Sequence, residues 1–96
     1  MTIDLKGTLK VIYAEKVINE TLKKVEFVVT IDENTEYPQD IIVQAINNKI
    51  DLLKQFQSGF KVCAKCNLKG KASADGKYFN QLNLWEMSNI GRQTND

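Results

Sequence analysis

Hydrophobic and polar residues alternate along most of this chain, and the alternation predicts strands. From Leu5 to Tyr13, residues Leu5, Gly7, Leu9, Val11 and Tyr13 share one side, with Lys6, Thr8, Lys10 and Ile12 on the other. That period of two is the mark of a half-buried strand, and a glycine inside it predicts a bulge or sharp coil. A turn at Asn19-Glu20 leads to a second strand, Lys23 to Ile31, with Val25, Phe27, Val29 and Ile31 inward. The polar run Asp32-Glu33-Asn34-Thr35-Glu36 is a turn, and Tyr37-Pro38 leads into a third strand, Ile41 to Ile46. Asn47 or Asn48 then caps a short helix, with Asp51 near its positive end and Ile50, Leu53 and Phe56 as its apolar stripe; Gly59 stops it.

Two more strands follow, joined at Asp75-Gly76. In the fourth, Val62, Ala64, Cys66 and Leu68 turn inward, so Lys61, Cys63, Lys65, Asn67, Lys69 and Lys71 face out. In the fifth, Leu82 and Leu84 face the core, with Phe79, Asn83, Trp85 and Met87 on the opposite side. The order is strand, strand, strand, helix, strand, strand. This predicts an all-β fold with one short helix: a five-stranded antiparallel OB-fold barrel, the helix plugging one end. A β-sandwich would need more strands than this.

Ninety-six residues, 43% of them hydrophobic, suit one domain, expected over residues 1–88, with 89–96 a flexible polar tail. The net charge of +1 exerts no general pull on nucleic acid, but its distribution is uneven. From Glu26 to Asp40 every charge is acidic; from Lys54 to Lys71 every charge is basic. One flank is therefore expected to be electropositive. The N-terminal residues carry no apolar run of the signal-peptide kind, and no segment is long enough to cross a bilayer, so a cytoplasmic protein without membrane association is expected.

Catalysis finds little footing. There is no histidine, the usual acid–base residue, and the glycines are too scattered for a phosphate loop. Cys63-Ala64-Lys65-Cys66 matches a C-x-x-C spacing, yet on a strand its two sulfurs point to opposite sides. With no histidine or third cysteine to complete a zinc site, structural cysteines are expected. Asn19-Glu20-Thr21 is a chance glycosylation triplet. The expectation is a non-enzyme with no cofactor, metal or small-molecule substrate.

A lysine-lined strand beside one bearing aromatics is what a groove for single-stranded nucleic acid requires. Lys61, Lys65, Lys69 and Lys71, helped by Lys23, Lys24 and Lys77, are the candidate phosphate contacts. Tyr37, Tyr78, Phe79 and Trp85 are the candidate stacking residues. Against this, lysines also serve simply to blunt a solvated strand. An outward Trp85 would stack a base or sit in a subunit interface, whereas a bulge would turn it into the core. Val28, Ile42 and Ile46, aliphatic and outward, point to contact with another chain and hence to a homo-oligomer.

From Ile41 through the helix to Gly59-Phe60-Lys61-Val62-Cys63-Ala64-Lys65-Cys66-Asn67-Leu68, the sequence resembles the single-stranded-DNA-binding (SSB-like) OB-fold family. Relatives there show a hydrophobic third strand, a short helix and a fourth strand of the form G-x-x-V-x-(small)-x-G-x-L. Phe79-Asn80-Gln81-Leu82-Asn83-Leu84-Trp85 is similar to the last strand of a smaller group of bacterial SSB-like domains. Three departures stand out: Ile42, Gln44 and Ile46 replace the family's stacking aromatics, Cys66 replaces a glycine, and Arg92-Gln93-Thr94-Asn95-Asp96 lacks an acidic, partner-recruiting tip. The resemblance implies a weakly sequence-selective protein for single-stranded DNA, with RNA left open, acting in replication or recombination. The bare tail suits a phage or other mobile-element protein. The alternative is an OB-type interaction or oligomerisation module that binds no nucleic acid.

Overall fold

The computed structural model describes residues 1–90. Its elements are β1 (Thr2–Ile12), β2 (Lys16–Asn19), β3 (Leu22–Ile31), β4 (Gln39–Ile46), α1 (Lys49–Leu53), β5 (Lys61–Ala72) and β6 (Tyr78–Asn89). All five expected strands and the helix are present. The additional strand, β2, is short and wholly exposed; it folds back on β3 across the turn at Glu20-Thr21.

The pairings run in a ring: β1 with β3, β3 with β4, β4 with β6, β6 with β5, and β5 back to β1. All are antiparallel except β4–β6, a parallel join made through Gln44 and Asn83. This is the OB arrangement, and the helix connects β4 to β5 as expected. The core inside the ring is built from Leu5, Leu9, Val25, Phe27, Val29, Val43, Val62, Ala64, Cys66 and Leu84, floored by Ile50 and Leu53 of α1.

β1 serves two partners, pairing with β5 over Thr2–Thr8 and with β3 over Gly7–Ile12. Gly7 sits where the two ladders meet. A Cβ there would lie 1.9 Å from the carbonyl oxygen of Thr30, so only glycine lets the strands approach. The bulge itself falls at Lys10, between Leu9 and Val11, rather than at Gly7. It reverses the alternation, so that Ile12 packs on the core while Tyr13 is exposed. The expected placing of Val11 and Tyr13 on the side of Leu5 and Leu9 is corrected accordingly.

A second bulge, between Leu84 and Glu86 of β6, has the same consequence. Met87 is buried instead of sharing Trp85's face, and Trp85 and Glu86 are both exposed. Cys63 is also buried, contrary to its outward expectation, because its short side chain lies between Lys6 and Ser88 in the ladder. Asn48 precedes α1 without a side-chain cap, and the left-handed Asn47 accepts a hydrogen bond from the Lys23 backbone N–H instead. β6 extends through Asn89, and the N–H of Ile90 bonds the carbonyl of Lys61 at 3.0 Å. The rest of the expected tail, residues 91–96, lies outside the described residues.

Candidate nucleic-acid interface

Beyond Leu68, whose N–H donates to the Met1 carbonyl at 2.9 Å, the fourth barrel strand pairs with β6 alone, from Lys69↔Gln81 to Ala72↔Tyr78. The two strands become a projecting arm, and its residues 69–72 and 78–81 are exposed on both faces. The turn at its tip is held internally. Gly76 takes the left-handed φ of 87° that the turn needs, Ser73 donates to the Asp75 carboxylate, and the Lys77 N–H donates to Ser73 Oγ at 3.2 Å. That Ser73 bond holds the Asp75 carboxyl below its ordinary pKa.

Where the arm leaves the barrel, β6 splays from β4 and opens a cleft of about 160 Å³. Lys24, Glu26, Ile42, Gln44, Asn80 and Gln81 line it. A larger concavity of about 490 Å³ follows along the arm, formed by Lys69, Gly70, Lys71, Ser73, Phe79 and Gln81. Gln81 borders both, so the cleft and the concavity are neighbours along β6.

The lysine stripe of β5 divides in two. Lys61 Nζ donates to Glu33 Oε2 at 2.7 Å, and Thr8 Oγ1 donates to the same carboxylate at 2.7 Å. These bonds hold the Glu33 carboxyl below its ordinary value of 4.5. They also fasten the β3–β4 loop across β1 and β5. Lys65 faces Glu86 across the ladder at 3.8 Å. Lys69 and Lys71 have no ion pair among the described residues, and Lys71 lies opposite Phe79. The groove therefore draws on the distal lysines.

The remaining candidates separate by location. Lys24 enters the cleft, while Lys23 points to the opposite side, into a polar hollow shared with Glu15, Glu20 and Asp51. Tyr37 stands exposed in the β3–β4 loop, outside both parts of the groove, and Lys77 sits in the arm's turn. Tyr78 and Phe79 are exposed on the arm, by 82% and 53%. Trp85 is 49% exposed, and the Lys49 ammonium lies over its ring, 5.8 Å from the centroid. Lys49, Gln44, Gln81 and Asn83 were not singled out from sequence. The outward parity of 79, 81, 83 and 85 was a readable signal for the β6 residues, whereas nothing local announces the Lys49–Trp85 contact.

Val28 and Ile42 are direct cross-strand neighbours on the outer side, with Ile46 opposite Lys24. Ile42, 54% exposed, also lines the cleft. Cys63 and Cys66 are both free and buried. Burial, with Cys63 and Asp4 nearby, pushes the Cys66 thiol up to about 11, which keeps it protonated and unreactive at neutral pH. No helix among the described residues is long and apolar enough to cross a membrane.

Two solved structures share this architecture. The dimeric N-terminal domain of PriB protein from Thermoanaerobacter tencongensis superposes with a TM-score of 0.69 at 13% identity, covering 95% of this chain and 97% of that one. A small single-stranded DNA-binding protein from Streptomyces coelicolor gives 0.55 at 10% identity, covering 95% and 94%. At such identities the likeness is one of fold, and it agrees with the OB fold expected from sequence. No curated protein matches the chain. A family model, domain of unknown function DUF3127, matches residues 4–88, nearly the whole of the ring and its arm, and the chain belongs to that family.

Proposed function

We propose that this protein binds single-stranded DNA, without catalysis, in the groove between the β3–β4 face and the β5–β6 arm. One observation carries the reading: Lys69 and Lys71, unpaired among the described residues, share a concavity with an exposed Phe79. Cations for phosphate beside a flat ring for bases are what a sequence-tolerant single-strand groove combines. The similar Streptomyces protein is a single-stranded DNA-binding protein on the same fold. Lys24 adds a third cation in the cleft, where Lys16 already engages Glu26 at 3.5 Å. Lys61 belongs to the fold more than to the ligand, and Lys65 stands between the two groups. We propose a cytoplasmic role in replication or recombination, a reading supported by single-strand binding of this kind.

Labelled oligo-dT should gain anisotropy on binding, and log affinity should fall with log salt by about 0.7 per neutralised phosphate. The chain's sole tryptophan, Trp85, lies on β6 outside both parts of the groove, and its quenching is a second readout. A flat anisotropy titration at low salt would overturn the reading.

A second reading has its own observation. The Val28–Ile42 pair is an apolar contact in search of cover, and the PriB domain on this fold is described as dimeric. A homo-oligomer joined through Val28, Ile42 and Ile46 would close over part of the cleft, so the two readings compete for Ile42. Sedimentation with and without oligonucleotide separates them: an assembly that dissociates as DNA binds places both on the same face.

A further inference from the structure

Phe79, Gln81 and Asn83 occupy successive outward positions of β6, and Trp85, the extra residue of the bulge, is exposed just beyond them. Alternate residues on a strand stand about 6.8 Å apart. That is about twice the 3.4 Å step of stacked bases in a duplex strand. A strand lying along β6 in register must therefore unstack, presenting one base to each outward side chain. The ends of this row are aromatic and its middle is amide. Gln44 Nε2 donates to Asn83 Oδ1 at 2.8 Å, tying the middle of the row to β4. Whichever way these two amides are turned, their pairing leaves one carbonyl and one set of N–H groups available to a ligand. Base edges present matching adjacent donors and acceptors. Cations flank both ends, with Lys71 opposite Phe79 and Lys49 over Trp85.

We infer that β6 is a ruler for about four nucleotides of single-stranded DNA, its outer bases stacked on Phe79 and Trp85 and its inner bases hydrogen-bonded by Gln81 and the Gln44–Asn83 pair. The inference rests on the single-stranded DNA reading above and adds its register. The phosphates enter past Lys71 and leave past Lys49, so the row is bounded at both ends by charge. Lys49 keeps one face of the indole and leaves the exposed remainder to a base.

The test is Trp85 quenching by oligo-dT in a length series from about two to sixteen nucleotides, the upper span of OB-fold sites. Quenching per bound chain should rise up to four nucleotides and then level. In the four-nucleotide ligand, an abasic residue at either end should weaken binding roughly 5- to 150-fold, the loss of one stacked base. An abasic inner residue should cost less, and that cost should vanish in Gln81→Leu and Asn83→Leu. Gln81 is exposed, so its variant keeps the test sound should Asn83→Leu disturb the β4 join. Lys49→Gln should lower the salt slope by about one contact's worth. Binding with equal abasic costs at every position, or quenching that climbs steadily with length, removes the register and leaves the single-strand reading standing. Absence of binding to the longest oligomer at low salt removes both.

Discussion

Lys61 and Lys69 lie on the same side of one strand, yet the molecule uses them differently. Lys61, in the barrel body, is tied to Glu33 and helps to hold the β3–β4 loop down. Lys69, on the arm, stands beside Phe79 and Gln81 with no carboxylate partner among the described residues. The boundary between them falls where β5 leaves β1, after Leu68. Identical residues at identical parity thus divide into one clasped to a carboxylate and one with no carboxylate partner among the described residues. In the body, side chains serve the fold; on the arm, they face solvent and any ligand.

Substitutions should divide along the same boundary. The largest effect belongs to the body: Gly7→Ala forces a Cβ against the Thr30 carbonyl, and stability should drop by about 3 kcal/mol or more, seen in denaturant melts. A Gly7→Ala protein as stable as the parent would show that β1 and β3 need not approach so closely. Next comes the arm. Lys69→Glu with Lys71→Glu should reduce oligo-dT affinity at least tenfold and flatten the salt slope by about two contacts, while stability stays within about 0.5 kcal/mol. Unchanged affinity would make the arm's lysines a solvated face and no more.

Phe79→Ala should cost about 1–3 kcal/mol of binding with the melt unmoved. The smallest effect returns to the clasp. Glu33 titrates below its ordinary value of 4.5 in the folded chain, so its contribution is fully present above the unfolded value and is lost as pH falls through the folded one. The stability difference between the parent and Glu33→Gln should hold at neutral pH and close below about pH 4.5. A difference independent of pH would mean that the carboxylate's charge does not matter to the clasp.

Much of this was legible in the residues. Alternation located all five barrel strands and most of their inward rows, and the number of strands set the barrel apart from a sandwich. The two bulges were not legible. One extra residue at Lys10 and one at Trp85 shift the alternation after them, which is why Ile12 and Met87 turn inward against expectation. Strand β2 escaped notice because Lys16–Asn19 is exposed on all sides and buries no apolar row to read. The division of the lysines was likewise hidden. Whether a lysine is paired depends on a carboxylate brought near by closure of the ring, and Glu33 lies 28 positions from Lys61 in the chain.

Among the described residues, the ring's parallel join is a single ladder pair, Gln44 with Asn83. The hoop is thus fastened by one stitch at the root of the arm, while Leu84 and Met87 of the same strand stay buried inside it. Opening that seam would break less backbone pairing than opening any other join in the ring.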